Sequence, residues 1–461
     1  MHAEQGCSTL SVDEDGSILD RLKGLEKVIP FELFKQALED TGRTNGRKCV
    51  LSHHVMLRIV VAMGVFTDKP IRSVFKCARR FHEGEKTPCR SAFCEARKRL
   101  GLEPVQRLHE LVVRPLARPD IPGGFYRGWR LMGIDSTVMD VPDSEANQSF
   151  GRSSGSRGDA AFPQIRKASL VELGTHVEVA IEIGGWHEGE QSLARLLWKH
   201  LPPDSLLLED RGFFCFDDWK TLNSQVKLLV RMKSHHVLEP IKQLSDSTYL
   251  AKIYRNAHDR EKDRNGILVR VVEYTLDDPQ RTGNGEVHRL ITNLLDEREY
   301  PGMELILLYH ERWEEEIVFD EQKTHQDPRR AEKPAQLRSE TPIGVKQELY
   351  ALSLAHFVVR FLMYTAAATK QIDVDGLSFK GCFQILQIRL PECHSRQPVS
   401  YEKWSANLMA EMLDEKTEPR RNRVNPRVIK RKMSKWNKKG PQHRPIPPLR
   451  KLFVECVVMK I

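Results

Sequence analysis

The sequence predicts an α/β protein in which a helical region comes first and a β-rich insertion interrupts the α/β core. Three observations predict it. Apolar residues recur at three- and four-residue spacing in PFELFKQALED and HHVMLRIVVAMGVF. Short apolar runs bounded by turn residues alternate with amphipathic stretches between Trp129 and Lys233. β-Branched runs then cluster in the next seventy or so residues.

Taken in order, residues 1–25 are a polar opening whose acidic MHAEQGCSTLSVDEDG is unlike a signal peptide. Residues 26–118 are predicted helical, and Arg79, Arg80, Arg90, Arg97, Lys98 and Arg99 make them a candidate DNA-docking domain. A helical packing domain with an ordinary basic surface is the competing reading. Pro and Gly from Pro115 to Gly124 mark a linker.

A strand then ends at Asp135. QIRKASLVELGTHVEVAIEIGG reads as a hairpin broken at Gly174, EQSLARLLWKHL as an amphipathic helix and PDSLLLED as a strand. FDDWKTLNSQ starts a helix and VKLLVRMK is another strand. Strand, hairpin, helix, strand, helix, strand is the order of a ribonuclease-H-like core, assigned to 125–235 and 300–370. Between them, 236–299 holds ILVRVVEYTL and EVHRLITNLL and is the β-rich insertion. Residues 371–461 form a basic C-terminal region.

Composition narrows the function classes. A chain of 461 residues exceeds one ordinary core, and 40% hydrophobic with 29% charged residues suits globular domains. The net charge of +9 favours a polyanionic partner, and Arg420 to Lys451 contains no acidic residue. A disordered basic tail is the plainer account of that block. Nine cysteines show no CxxC or finger-like spacing, which reads as reduced thiols in a cytoplasmic chain. Apolar stretches such as Met56 to Phe66 are too short to span a bilayer, so no membrane partner is expected.

Candidate chemistry lies in three places. Leu131–Ile134 leads to Asp135, and Leu206–Leu208 leads to Glu209 and Asp210. Carboxylates at strand ends can share a cleft, although Asp is also favoured in plain turns. In YHERWEEEIVFDEQK, a uniform helix puts Tyr309, Arg312, Glu316 and Lys323 within an arc of roughly 60°. One acid among a phenol, a guanidinium and an ammonium suits phosphate held beside a metal ion, whereas a solvated charged helix is the bland alternative. Asp140, Asp143, Glu209, Glu314 and Glu315 compete for the acid roles. Alternation sends Glu209 away from Asp210, and helical phase turns Glu314 from the Tyr309 face.

With GIDST, DRGF and this helix in that order, the chain resembles the DDE transposases of the insertion-sequence-four family. Tyr309, Arg312, Glu316 and Lys323 match the family's last signature at every position. VIPFELFKQALEDTGR and SAFCEARKRLG look like its amino-terminal domain, and LRSETPIGVKQELYALSLAHFVVRFLM and RVNPRVIKRKMSKW like its carboxy-terminal segments. The resemblance implies Asp135, Asp210 and Glu316 as the three catalytic, metal-binding acids.

Phosphodiester cleavage by two ions about 4 Å apart calls for hard oxygen ligands, hence two Mg²⁺ with Mn²⁺ as a substitute. Asp135 would bridge them. Arg312, Lys323 and Tyr309 would contact phosphate, and Arg211 would do so unless it pairs with a neighbouring acid. Trp313 has a face for an extruded base, with packing against the core the better expectation.

The family further implies cut-and-paste transposition. Water frees a 3′-hydroxyl at the element's terminal inverted repeats, a hairpin can form, and the hydroxyl attacks target DNA within a synaptic homodimer. Two alternatives remain: a transposase-derived DNA-binding protein without cleavage, which three retained acids disfavour, and a two-carboxylate glycosidase, which the basic balance disfavours.

Overall fold

The computed structural model describes residues 17–44, 49–79, 86–155, 158–278, 284–326, 337–393, 400–417 and 452–460. The basic block Arg420–Lys451, Arg80 and most of the polar opening lie outside the described residues. Two compact units divide the chain: 1–202 with 313–416, and 203–312 with 417–461.

The first unit opens with α1 (Phe31–Asp40), α2 (His53–Val65), α3 (Ile71–Ala78), α4 (Arg90–Leu100) and α5 (Glu103–Val112). Ser52 caps α2, its hydroxyl accepting the Val55 N–H at 3.2 Å. Twelve of the thirteen residues of α2 are buried, so it is a central helix rather than the one-faced helix its spacing suggests.

Strand β1 (Phe125–Tyr126) pairs antiparallel with β2 (Trp129–Asp140), and a small hairpin, β3 (Ser154–Gly155) and β4 (Gly158–Asp159), follows. β5 (Gln164–Glu172) and β6 (Val177–Gly185) then complete an antiparallel β6-β5-β2 meander, with Asp135 opposite Ser169. α6 (Glu190–Leu197) packs on it.

The second unit begins with β7 (Ser205–Glu209), α7 (Phe216–Leu222) and β8 (Lys227–Arg231); β7 and β8 are parallel. This element order is the ribonuclease-H-like one. Next come β9 (Lys242–Gln243), β10 (Tyr249–Ile253), α8 (Ala257–Glu261), β11 (Ile267–Leu276) and β12 (His288–Thr292), which pair antiparallel in the order β8-β12-β11-β10-β9. The insertion therefore extends the sheet from β8 and is not a detached module. α9 (Gly302–His310) closes this stretch.

The first unit resumes with α10 (Glu314–Asp320), α11 (Pro342–Lys370), α12 (Phe379–Arg389) and α13 (Tyr401–Asp414). The chain ends in the second unit with α14 (Phe453–Cys456) and β13 (Val457–Met459), the latter pairing with β11.

These units cut across the boundaries expected from composition. Residues of α1–α5, α11, α12 and α13 share one hydrophobic cluster, so 26–118 and the described part of 371–417 are not separate bodies. α11 is long and apolar enough to cross a membrane, a length the sequence reading did not credit to any stretch, but 78% of its apolar window is buried inside the fold. Its closest neighbour is α2: a Cβ on Gly64 would fall 2.0 Å from the Ala351 carbonyl oxygen, so only glycine admits this approach.

Two of the basic residues assigned to a DNA-docking surface bond inside the unit. Arg97 donates to Gln347 Oε1 at 3.1 Å and the Gly344 carbonyl at 2.9 Å, and buried Arg79 donates to Thr87 at 2.9 Å. Arg90, Lys98 and Arg99 remain exposed.

Candidate active site

The first unit holds Asp135, Glu316 and Lys323; the second holds Asp210, Arg211, Tyr309 and Arg312. Each group is built by its own local rules.

In the first unit, side chains on β2 alternate between two faces. Ser136 points to α6, where its hydroxyl donates to Glu190 at 2.9 Å. Gly133 and Asp135 therefore share the other face. That face is covered by α10: a Cβ on Gly133 would lie 1.4 Å from Glu315 Oε1. Asp135 is half-buried, and its Oδ1 accepts the Ser136 backbone N–H at 2.7 Å, which orients the carboxylate. Glu316, next to the fully buried Glu315, is half-buried.

The segment carrying Glu316 is held throughout its length. Glu314 Oε2 lies 2.7 Å from His176 Nε2, and Glu321 accepts from His356 and Arg360. Gln322 donates to Glu178 at 2.9 Å, and Lys323 Nζ donates to the Val138 carbonyl of β2 at 3.2 Å. The helix is not uniform, as the phase argument assumed. A 3₁₀ turn covers Glu311–Trp313 and a π-helical turn covers Glu321–His325, so the roughly 60° arc does not describe this segment.

In the second unit, Asp210 follows the last residue of β7 and is half-buried, whereas Glu209 is buried. Burial, with the charge of Asp218, pushes the Glu209 carboxyl up to about 8. Every residue of β7 is buried, so the burial of Glu209 does not by itself send it to the side opposite Asp210.

Tyr309 is buried too, and its hydroxyl donates to the Glu209 carbonyl at 3.2 Å. Burial keeps this phenol above its ordinary pKa, so it is a neutral donor to backbone rather than an exposed phosphate contact. α9 is set by its start, where Asp246 accepts the Gly302 N–H at 2.7 Å while pairing with buried Arg270. Arg312 is buried, Arg211 exposed, and Trp313 is 42% exposed, contrary to the core packing expected of it.

Sequence reasoning missed His176, His356 and Arg360. Their only signal is being polar in apolar surroundings, such as LAHFVVRFL in α11. Among the described residues, His176, Glu314 and Asp375 also bring potential metal-ligand atoms within 4.8 Å of one another. Arg360 Nη2 lies 2.6 Å from His176 Nδ1. Burial and Arg360 work against a charged His176, but Asp375, Glu314 and Glu321 outweigh them and raise its pKa to about 9, and a protonated ring offers a metal no lone pair. A cleft of about 290 Å³ in the second unit, lined by Phe214, His235, His236 and Arg255 among others, includes none of the candidate acids.

Asp135, Asp210 and Glu316 offer hard carboxylate oxygens, the donor type that Mg²⁺ and Mn²⁺ take. Two family models match the chain: "Insertion element 4 transposase N-terminal" over residues 19–110 and "Transposase DDE domain" over 130–357. The second spans all three acids and implies a divalent-metal requirement.

The "Transposase InsG for insertion sequence element IS4" of Escherichia coli (strain K12) is 26% identical over 445 residues, covering 95% of this chain and 98% of that protein. The "Putative transposase InsZ" of the same strain is 25% identical over 202 residues, covering 43% of this chain and 66% of that one. A solved piggyBac transposase synaptic complex with hairpin DNA aligns over 87% of each chain at 10% identity and a TM-score of 0.44, a likeness too weak to bear on the site.

Proposed function

Because the chain belongs to the insertion-sequence-four family of DDE transposases, we propose that it cuts an insertion element at its terminal inverted repeats and joins the ends to target DNA through Asp135, Asp210 and Glu316. The observation that carries the assignment of residues is that Asp135 stands on the face of β2 covered by the segment bearing Glu316.

Bound Mg²⁺, or Mn²⁺ in its place, supplies charge stabilisation to the attacking and leaving oxygens. The chain's own residues orient and hold. The Ser136 N–H fixes the Asp135 carboxylate, and the Tyr309 hydroxyl fixes the peptide leading into Asp210. Lys323, held against β2 at the Val138 carbonyl, three residues along the strand from Asp135, carries an ammonium that can meet a phosphate as a point charge. Exposed Arg211 follows Asp210 and serves the same purpose, and exposed Trp313 offers a stacking face for an unpaired base. Arg312 is buried and so is not counted among the DNA contacts. The working form is a homodimer on paired element ends, acting on nucleoid DNA in the cytoplasm.

The test is incubation with Mg²⁺ and a DNA fragment carrying the gene and its native flanks, with the products sequenced. Breaks at inverted repeats leaving 3′-hydroxyl ends are the expected outcome. Binding to the repeats without any break would instead make the chain a DNA-binding derivative of a transposase.

A further inference from the structure

The residues flanking Glu316 are tied to a buried polar network that no step of the chemistry uses. Glu314 meets His176, and Glu321, five residues beyond Glu316, is held by His356 at 2.9 Å and by Arg360 Nε at 3.1 Å, with a second contact from Arg360 Nη2. Arg360 Nη2 also lies 2.6 Å from His176 Nδ1, so one guanidinium touches both anchors. All of these groups are buried.

His176 sits in the turn between β5 and β6 with φ 57°, a left-handed conformation uncommon for a residue other than glycine. Its imidazole is thus placed by a costly backbone, and the side chain it meets lies two residues before Glu316.

We propose that His176 and Arg360 are positioning residues that set the orientation of Glu316 by gripping Glu314 on one side of it and Glu321 on the other. Glu314 itself is an anchor and not a metal ligand. His176 Nε2–H faces the Glu314 carboxylate at 2.7 Å, while Nδ1 lies beside Arg360. A glutamine at 314 keeps an oxygen acceptor for that hydrogen, and a leucine does not. A lysine at 360 keeps the charge but cannot reach Glu321 and His176 together as a fork does. Partners of this kind, one shell out from the ligands, are typically worth about 10–100-fold in metal affinity.

The inference rests on reading Glu316 as a metal ligand, so the experiment separates the two. Cleavage of an element-end DNA is measured against Mn²⁺ concentration for the full chain and for Glu314→Leu, Glu314→Gln, Arg360→Lys and Glu316→Gln. Thermal stability and end binding are measured in parallel, with Phe93→Leu in the α4 core as a variant that only loosens packing.

The expected result is a half-saturating Mn²⁺ concentration raised at least about tenfold by Glu314→Leu and Arg360→Lys, near wild type for Glu314→Gln and Phe93→Leu, and no cleavage by Glu316→Gln. Wild-type metal dependence in Glu314→Leu and Arg360→Lys, with Glu316→Gln inactive, overturns the positioning role alone. Glu314→Gln as inactive as Glu316→Gln overturns it by making Glu314 a ligand. Cleavage by Glu316→Gln overturns the reading on which both rest.

Discussion

Tyr309 donates its hydroxyl hydrogen to the backbone carbonyl of Glu209 at 3.2 Å, one peptide before Asp210. Tyr309 is therefore bonded to the strand end that leads into Asp210, one of the three acids proposed to hold the metal. Removing one such neutral hydrogen bond costs about 1 kcal/mol, and a buried carbonyl left without it costs somewhat more. Tyr309→Phe should lower stability in urea by that amount and slow cleavage, while leaving the salt dependence of DNA binding unchanged. A reduced salt slope would show that the phenol meets phosphate after all.

The face shared by Gly133 and Asp135 has no room for a larger residue at 133. In Gly133→Ala the new methyl meets Glu315, which is 0% exposed and cannot swing into solvent. Overpacking of this kind costs about 1–3 kcal/mol. The expected outcome is a folded but less stable protein whose cleavage falls by more than its end binding, because α10 and Glu316 are pushed from β2. Equal losses in binding and cleavage would contradict that arrangement.

Acid stability should report on Glu178. Burial alone would raise its carboxyl, but Lys167, with hydrogen bonds from Lys167, Ser169 and Ser353, overrides burial and holds it at about 2 against an ordinary 4.5. A depressed folded value stabilises above the unfolded one and is lost as pH falls. The contribution, about 3 kcal/mol on the order-of-magnitude scale, is complete above pH 4.5 and disappears on the way to about pH 2. Urea unfolding of Glu178→Gln should be less stable at neutral pH and flatter over that window. An unchanged slope would remove Glu178 from the account.

The basic residues of α4 should separate into two kinds. Arg90→Ala and Arg99→Ala, on exposed positions, should weaken end binding and each reduce the salt slope by about one phosphate's worth, with little change in stability. Arg97→Ala should do the reverse, since its guanidinium bonds Gln347 and Gly344 inside the unit. Binding unchanged in both exposed variants would place the DNA elsewhere.

Much of this was legible in the sequence because it rests on local rules. The short apolar runs Leu131–Ile134 and Leu206–Leu208, the break at Gly174 and the amphipathic EQSLARLL became β2, β7, the β5–β6 turn and α6, but β2 runs on to Asp140, so Asp135 stands inside the strand and not at the strand end expected of it. Spacing did not give the relative phase of Glu316 and Lys323, because a π turn between them alters the rotation per residue and no residue type announces it. Burial of α2 on all sides depends on the approach of Ala351, far along the chain. The internal use of Arg79, Arg97 and Arg360 likewise depends on partners that only the tertiary fold supplies.

The central claim is that Asp135, Asp210 and Glu316 are each required for metal-dependent DNA cleavage. It is tested most directly by nicking of a supercoiled plasmid carrying the element's two ends, comparing the wild type with Asp135→Asn, Asp210→Asn and Glu316→Gln at protein concentrations that saturate end binding. The account predicts Mg²⁺-dependent cleavage by the wild type and none by any of the three variants, all four binding the ends alike. Full cleavage by any one of the variants would contradict it.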